Sequence, residues 1–404
     1  MVLITDFGAK AGTLCTESIQ NAIDRCAAGG GGIVAVPAGT FVSGTVYLKD
    51  NVELRLAPGA VLKASADMDD YNAEDAYAQN WGSSNEKWKG KHLIVALECR
   101  NVSITGEGTI DGSGSAFFGD ERHFTDGYAW EGGYVTSKDE KTLRPGQLVC
   151  FIECQNVTVR GIAVENAPCW GVYVYGCTFV KINGVRIVNP FECVNTDGVD
   201  IDCSQYVTVS DCTILTGDDA IAVRCSEKRL KQPRPCEYIT ITNCVLASNS
   251  TVFRIGVGTG RIRHVNVSDI VVPRAGHLIA FNTSFDGKGN ADIADVSFRH
   301  IDAQNVGGTV ECVVCKGAVR NIAVSDVSAC AKGGVLIKRT DDGVIDGFRL
   351  KDVHLTLTEP HLYAAEITGA SNVGIDTLSV SGETPEEPLH VACCEGVCVK
   401  DCRF

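Results

Sequence analysis

The chain has 404 residues, of which 45% are hydrophobic and 21% are charged, and its formal net charge is −14. The negative charge argues against nucleic acid as a partner, because phosphate binding needs a basic surface. No run of 18 apolar residues occurs, so we expect neither a membrane span nor a membrane partner. The opening residues MVLITDFGAK lack the basic and apolar regions of a signal peptide, which predicts a cytoplasmic protein. A secreted protein is the alternative, because a chain whose signal peptide has been removed would also begin without one.

The 20 cysteines also indicate a reducing compartment. Most of them fall inside segments with strand character, as Cys212, Cys244 and Cys398 do, where they are expected to act as small buried apolar residues. Cys312 and Cys315 form one C-x-x-C pair, but zinc spacing requires a second pair, and none matches. We therefore expect no metal site.

The first 60 residues are predicted to form a cap followed by the first strands. Thr16 is placed to N-cap a short helix whose apolar positions recur at helical spacing, and Gly29–Gly32 end it. These apolar positions are Ile19, Ala22, Ile23 and Cys26. The segment GIVAVPAGTFVSGTVYLKDNVELRL then supplies short strands.

One pattern recurs along the rest of the chain: apolar-x-apolar, a polar or glycine pair, then apolar-x-apolar again. Its copies begin at Val102, Val157, Val180, Val207, Ile239, Val265, Val296, Ile322, Phe348 and Leu378, with a short one at Val397. From Val157 to Leu378 the steps range from 23 to 32 residues, a period that indicates a solenoid. The alternation within each copy predicts strands with one buried face.

These repeats predict an all-β fold, a single-stranded right-handed parallel β-helix with a short N-terminal capping helix. No helical stretch separates the strands, which excludes helical and leucine-rich repeats, and the repeats are too short for propeller blades. Residues 1–404 are expected to form one domain. Loops 65–92 and 113–146 interrupt the early coils and are predicted to line a groove. Their aromatic residues either stack on sugars or pack the loops against the coils: Tyr71, Trp81, Trp88, Tyr128, Trp130 and Tyr134.

Two acidic motifs stand about one coil apart, Asn195-Thr-Asp197-Gly-Val-Asp200 and Gly217-Asp218-Asp219-Ala-Ile221. Aligning the strands places Asp197 over Asp218, and stacked strands lie roughly 4.8 Å apart, so three carboxylates should crowd together. Such crowding raises at least one pKa and leaves a carboxylic acid protonated. Glycosidic bond cleavage needs that acid and a carboxylate that activates water. A calcium site, or turns that simply favour Asp and Gly, would explain the residues differently.

These motifs resemble those of glycoside hydrolase family 28, the polygalacturonase and rhamnogalacturonase group. The resemblance starts at DFGAKAG and GGGGIVAVPAGTF, continues through GEGTIDGSG, and is most specific at NTDG and GDDAIAV. It implies that Asp218 is the general acid and that Asp197 and Asp219 share the general-base role. It also implies inversion at the anomeric carbon and no cofactor. The absence of a recognisable signal peptide favours an exo-acting enzyme on small fragments.

The chain departs from that family where Gly-His-Gly and Arg-Ile-Lys are usual, since NSTVFRIGVGTGR and IAFN stand in their place. Arg254 is predicted one coil beyond Ala222, where it could clamp a sugar carboxylate or pair with Asp219. The further candidates for substrate binding are Asn195, Arg224, Trp130 and His264. Asp200 and Arg144 are interpreted as structural.

The partner that these residues predict is an oligosaccharide or polysaccharide substrate derived from pectin. A β-helical polysaccharide lyase is a second hypothesis; it would need Ca²⁺ on the aspartates and a base such as Arg254. A non-catalytic carbohydrate-binding β-helix is a third, and it would not require the three aspartates to cluster.

Overall fold

The computed structural model describes the chain except residues 73–75, 80–87, 126, 128, 131, 139–143, 228–229 and 286–288. The side chains of residues 88 and 89 also lie outside the description. Among the described residues, no helix is long and apolar enough to cross a membrane.

Strands dominate the described part of the chain, which also contains the α-helix α1 (Thr16–Ala28) and short 3₁₀ turns at Ile4–Phe7, Met68–Asp70 and Gly114–Ala116. The strands of the first half are β1 (Val2–Leu3), β2 (Gly32–Val36), β3 (Gly39–Ser43), β4 (Val46–Leu48), β5 (Val52–Leu56), β6 (Ala60–Ala64), β7 (Trp88–Lys89), β8 (Ile94–Leu97), β9 (Arg100–Gly106), β10 (Thr109–Asp111), β11 (Arg144–Pro145), β12 (Val149–Ile152), β13 (Gln155–Arg160), β14 (Ala163–Glu165), β15 (Val172–Tyr175), β16 (Thr178–Asn183) and β17 (Arg186–Val188). Those of the second half are β18 (Val199–Asp202), β19 (Gln205–Ser210), β20 (Thr213–Thr216), β21 (Ile221–Cys225), β22 (Cys236–Gly258), β23 (Arg261–Val272), β24 (Ala275–Asn282), β25 (Asp292–Val314), β26 (Ala318–Arg339), β27 (Val344–Leu357), β28 (Ala365–Thr368), β29 (Gly374–Gly382), β30 (Leu389–Ala392) and β31 (Cys398–Lys400).

The chain winds as a right-handed parallel β-helix, as predicted. Each strand pairs in parallel with the equivalent strand of the next coil, for example β13 with β16, β16 with β19 and β19 with β22. From β22 onward, the strands bend around the coil, so that one long strand such as β25 contributes to more than one side. The right-handed sense is the one that parallel crossover connections adopt.

The repeated apolar residues form a buried ladder along the solenoid axis. The register joins the first residue of each copy to the first residue of the next, in the order Val102, Val157, Val180, Val207, Ile239, Val265, Val296, Ile322 and Phe348. All of these side chains are buried. The last predicted step was wrong, because Leu378 lies in register with Val353 rather than with Phe348. The apolar-x-apolar pattern is present at both strand positions, and only the pairing distinguishes them.

Helix α1 covers the N-terminal end of the ladder, with the four predicted residues Ile19, Ala22, Ile23 and Cys26 buried. Its N-cap residue is Cys15 rather than Thr16, and no side chain caps it. The hydroxyl of Thr16 instead accepts a hydrogen bond from the backbone N–H of Gly44 (2.8 Å). The cap therefore attaches to the first coil through Thr16.

The cysteines mostly occupy the apolar positions predicted for them, and none forms a disulfide. Cys212 and Cys244 are buried on neighbouring coils, whereas Cys398 is exposed in the last strand, contrary to the prediction. Cys398 lies in β31, which pairs with β29 alone among the described strands, so one side of β31 is left uncovered. Cys312 is buried beside the more accessible Cys315.

Candidate active site

The two acidic motifs meet at one corner of the coil, immediately before β18 and β21. Backbone hydrogen bonds run from Gly198 N to Asp219 O (2.9 Å) and from Val199 N to Ala220 O (3.1 Å). Asp197 therefore lies alongside Asp219, not Asp218 as the sequence alignment predicted. The strands that follow the motifs pair Val199 with Ile221, and this 22-residue step determines the stacking.

The expected crowding of carboxylates is present. One carboxylate oxygen from each of Asp197, Asp218 and Asp219 lies within 4.8 Å of the others. Asp197 and Asp219 are buried, and Asp218 is partly open to solvent. This geometry could position a water molecule or hold a cation.

Two glycines of the motifs allow the coils to approach at this corner. A Cβ added to Gly198 would lie 2.5 Å from the carbonyl oxygen of Ala220. One added to Gly217 would lie 2.3 Å from the carbonyl oxygen of Cys193. The glycines in NTDG and GDD are thus explained by close backbone packing between the two carboxylate-bearing turns.

We expect Gly198→Ala to separate these turns, because the backbone of Ala220 cannot give way like a flexible side chain. Overpacking of this kind destabilises proteins by about 1–3 kcal/mol, and displacement of Asp197 should lower kcat about tenfold or more. Urea unfolding and kcat measured on one preparation check both effects. Gly184→Ala is the control for steric overlap, because a Cβ at this position meets nothing within 4 Å. The φ of +63° at Gly184 still adds backbone strain in that variant. Equal kcat values for the two variants would contradict this explanation.

Asp218 has the surroundings of a proton donor. Its pKa is raised to about 6, first by burial and then by the charge of Asp219, while Arg254, the Asn195 N–H and Ser250 oppose the shift. The backbone amide of Asn195 donates to Oδ2 of Asp218 (2.9 Å). Thr216 and Ser248 donate to the backbone carbonyl of Asp218, each at 2.6 Å, and so hold the turn in place.

Arg254 lies one coil beyond the aspartates, in register with Ala222 as predicted. Its Nε donates to Oδ2 of Asp219 and its Nη2 donates to Oδ1 (3.0 Å), a bidentate pair that is largely shielded from solvent. Nη2 also contacts the hydroxyl of Thr251 (3.3 Å). Of the two roles predicted for Arg254, the structure contains the ion pair with Asp219, in which the guanidinium holds both carboxylate oxygens.

Arg224 carries a second buried positive charge near Asp197. Arg224 donates from Nη1 to Oδ1 of Asp200 (3.2 Å), and its guanidinium lies 4.3 Å from the ring centre of Trp170. Asp200 is fully buried, which fits its predicted structural role. Arg224 was predicted to bind substrate; its described contacts are with protein groups instead. Its charge lowers the pKa of Asp197, which burial and the charges of Asp200, Asp218 and Asp219 hold well above its usual range.

Arg144 makes a larger contribution to the site than the sequence indicated. It is fully buried, and it donates to the side-chain oxygen of Asn195 and to the carbonyl of Pro168 (2.8 Å). Asn195 has a left-handed backbone (φ 53°) that aims its N–H at Asp218. Asn195 was predicted to contact the substrate, and the structure gives it a role in holding Asp218. Its partner Arg144 is 51 residues away, and no local pattern in the sequence joins the two.

The described part of loop 113–146 packs beside the carboxylates. The backbone N–H of Trp130 donates to the carbonyl of Asn249 (2.6 Å), next to Ser250. Val135 exchanges backbone hydrogen bonds with Glu192 and Val194, just before the first acidic motif. The ring of Trp130 lies 5.5 Å from that of Tyr134. These contacts place Trp130 near the site, and sugar stacking by it stays a prediction.

The other predicted aromatic residues differ in their positions. Tyr71 is buried and donates its hydroxyl to the carbonyl of Ser65 (2.6 Å), so it packs its loop rather than lining a groove. Trp81 and Tyr128, and the side chain of Trp88, lie outside the described residues.

His264 does not join the carboxylates. It follows Tyr238 in a stack of exposed rings on a different side of the coil, with a ring separation of 5.2 Å, and its Nδ1 lies 3.7 Å from Asp295. The structure therefore does not bring His264 to the carboxylates, and substrate binding by it stays a prediction. The alternation of strand residues defines which face a side chain occupies, but not which of the coil's sides carries the strand.

A parallel β-helix with three carboxylates between neighbouring coils defines a class of carbohydrate-active β-helical proteins. The family model for glycosyl hydrolases family 28 matches residues 26–309, and the chain belongs to this family.

Curated relatives are identical to this chain at somewhat more than a quarter of the aligned positions. An exo-poly-alpha-D-galacturonosidase of Dickeya chrysanthemi is 28% identical over 437 aligned positions, covering 95% of this chain and 68% of that protein. A probable polygalacturonase of Vitis vinifera is 28% identical over 280 positions, covering 66% of this chain and 54% of that protein. The chain thus spans between about half and about two thirds of the length of these relatives.

Solved structures confirm the fold. A family 28 exopolygalacturonase of Yersinia enterocolitica superposes with a TM-score of 0.76 at 22% identity, covering 98% of this chain and 78% of that one. A hyperthermoactive exopolygalacturonase of Thermotoga maritima superposes with a TM-score of 0.70 at 23% identity, covering 93% and 91%.

Proposed function

We propose that this protein hydrolyses glycosidic bonds in pectin-derived oligosaccharides, of the galacturonide or rhamnogalacturonan type. The observation that carries the proposal is the cluster of Asp197, Asp218 and Asp219, in which one carboxyl group is held near the pKa of a working acid. Family membership supports the hydrolytic reaction, and the names of the similar proteins support the substrate class.

Asp218 acts as the general acid in this proposal. Its position at the open edge of the cluster suits it to protonate the leaving oxygen as the bond to the anomeric carbon breaks. The amide of Asn195 holds one of its oxygens, and Asp219 N–H contacts the other (3.0 Å), so the carboxyl group is oriented before substrate arrives.

Asp197 and Asp219 hold the attacking water and accept its proton while its oxygen bonds to the anomeric carbon. Both oxygens of Asp219 are engaged by Arg254, which suits a base that orients water better than a nucleophile that forms a covalent intermediate. We infer inversion from this and from the family resemblance. The carboxylate oxygens are closer than the roughly 6.5–9.5 Å usual for inverting pairs, so the anomer released first, measured by NMR, is the deciding observation; retained configuration would overturn the inference.

Exo action is the form of hydrolysis that we propose. The Dickeya and Yersinia proteins carry exo-acting names. In this chain, loop 113–146 contacts Asn249 on one side of the carboxylates and Glu192 on the other, which supports a closed end to the groove. Release of monomers or dimers from the first minutes of reaction is the expected product pattern. A ladder of intermediate lengths would indicate endo action.

A reducing-sugar screen with EDTA tests the function itself. Wild-type protein is incubated with polygalacturonate, rhamnogalacturonan and their oligomers, and ultraviolet absorbance is followed in parallel. Metal-independent release of reducing ends without absorbance is the expected result. Absorbance from an unsaturated product that EDTA abolishes would favour the lyase hypothesis. Binding of the oligomers without any cleavage would favour a non-catalytic β-helix.

The pH dependence should report the acid. Since Asp218 must be protonated to act, and its pKa is raised from 3.8 to about 6, kcat should fall about tenfold per pH unit above about pH 6. Measurement of kcat at saturating substrate between about pH 4 and about pH 8 checks this. A rate that stays constant up to pH 8 would contradict the role of Asp218.

We propose further that the protein works in a reducing compartment such as the cytoplasm. The number of cysteines and their burial at apolar positions such as Cys150, Cys177 and Cys236 support this. Thiol titration of protein purified without reductant, before and after denaturation, tests it. Twenty thiols after denaturation are expected. A smaller number, reduced by two for each disulfide, would indicate an oxidising compartment.

A further inference from the structure

The strand that begins just after Asp219 continues as one side of the solenoid through β30, six coils further on. Its buried residues are in register in the order Ile221, Phe253, Ile279, Val310, Val335 and Ala365. The next residue of each strand points to the outer face, and this outer column runs through Ala222, Arg254, Ala280, Glu311, Leu336 and Glu366. The face that carries Arg254 therefore extends without interruption toward the C-terminal coils.

A cavity of about 210 Å³ opens on this face, three to four coils beyond the aspartates. Its walls include His277, Glu311, His361, Tyr363 and Glu366. With strands about 4.8 Å apart, Glu311 lies three spacings from Ala222, or about 14 Å along the axis. A sugar chain bound at the aspartates reaches this cavity after a few residues. We call it the distal pocket.

The distal pocket has a flat floor and an aromatic wall. Its floor contains Gly308 and Gly333, in register with His277, and Gly334 next to them. A Cβ on Gly334 would lie 1.8 Å from the carbonyl oxygen of Ala364, so no side chain can occupy that place. Tyr363 stacks on His390 with ring centres 4.4 Å apart, which makes an aromatic surface of the kind that sugar rings pack against.

The charges of the distal pocket differ from those near the aspartates. Among its lining residues, Glu311 and Glu366 are acidic and none is Lys or Arg. His277 Nε2 lies 3.3 Å from Glu311, and Lys338 Nζ lies 3.6 Å from Glu366 without lining the pocket. Carboxylates accept hydrogen bonds from sugar hydroxyls, whereas a uronate placed here would meet like charge.

We propose that the distal pocket is a subsite for a neutral sugar residue of the same substrate chain. This rests on the proposed function and narrows it: the preferred substrate carries neutral residues a short way from the cleaved bond, as an alternating galacturonate–rhamnose chain does, rather than galacturonate alone. Arg254 and the aspartates act at the bond that breaks, and the distal pocket selects the chain.

The test measures binding separately from catalysis, in the full-length Asp218→Asn protein. Calorimetry compares two oligosaccharides of equal length, a galacturonan and an alternating galacturonate–rhamnose oligomer. The alternating oligomer should bind about tenfold more tightly, and Tyr363→Ala should remove about that factor for it alone. Tyr206→Ala is the matched control, because Tyr206 is an exposed stacked tyrosine on another side of the coil. It should change neither affinity.

If Tyr363→Ala does not fold, the isosteric variant Glu366→Gln tests the distal pocket in its place. It should strengthen galacturonan binding several-fold and leave the alternating oligomer unchanged. Equal affinities that neither variant changes would overturn the subsite. Preference for galacturonan that Tyr363→Ala weakens would overturn its neutral character.

Hydrolysis is measured separately from binding, so that the proposed reaction and the distal pocket can fail independently. If wild-type protein cuts nothing but the binding pattern appears, the pocket stands and the proposed reaction fails. If wild-type protein cuts galacturonan and Tyr363→Ala has the same KM for every length and composition, the reaction stands and the pocket fails.

Discussion

Asp218→Asn is expected to fold normally and to lose about 10³-fold or more of the wild-type kcat on its natural substrate. Asparagine has the size of aspartate and still accepts the Asn195 N–H, but it has no proton to give to the leaving oxygen. General acid catalysis contributes about 10²–10⁴-fold to rates of this kind. Removing a partly buried like charge beside Asp219 should leave the free energy of unfolding unchanged or slightly raised.

The control is Asp352→Asn, the same chemical change at a half-exposed position whose backbone is left-handed (φ 51°), a conformation that asparagine tolerates. Its kcat should match wild type. Steady-state kinetics and urea unfolding are measured on all three proteins. An Asp218→Asn protein with kcat within threefold of wild type would remove Asp218 from the mechanism.

Arg254→Met is expected to have the second largest effect. It keeps much of the side-chain volume but leaves the buried carboxylate of Asp219 without its bidentate partner. Breaking a buried pair from one side costs about 3–5 kcal/mol of stability, and kcat/KM should fall by about 10² because the base is no longer oriented. Arg254 lowers the pKa of Asp218, so the alkaline decline in kcat should move to higher pH.

Two further variants separate charge from geometry. Arg254→Lys retains a positive charge without the planar fork, so it should recover part of the stability and less of the activity. Arg263→Met removes a half-exposed pair with Asp292 and should cost less than about 1 kcal/mol. An Arg254→Met protein that keeps wild-type stability and the wild-type pH profile would contradict the role assigned to the ion pair.

The coil stacking could be predicted from the sequence because it repeats. A valine or isoleucine at the start of each copy must meet its counterpart in the next coil, so positions such as Val180 and Val207 align by pattern alone. Where two equivalent positions exist within one copy, the pattern is ambiguous, and the step to Leu378 was assigned to the wrong one. The predicted neighbour of Asp197 was wrong by one residue for a related reason. The turn before β18 contains no repeated pattern that could align it with the turn of the next coil.

The contacts that hold the aspartates were harder to predict. Arg144, in the short strand β11 of an earlier coil, reaches Asn195 across 51 residues, and no repeat in the sequence joins the two. Arg254 was found because it stands in a repeated strand, one coil from the motif. The repeat in the sequence therefore predicts which residues are neighbours along the solenoid axis. It does not predict contacts between residues that lie outside the repeated strands.

The central claim, that Asp218 supplies the proton to the leaving group, is tested most directly by changing the leaving group. Hydrolysis by wild-type protein and by Asp218→Asn is compared on the natural oligosaccharide and on an aryl galacturonide whose acidic phenol departs without protonation. The variant should lose about 10³-fold on the oligosaccharide and less than about tenfold on the aryl substrate. An equal loss on both substrates would contradict the claim and assign Asp218 to a role other than proton donation.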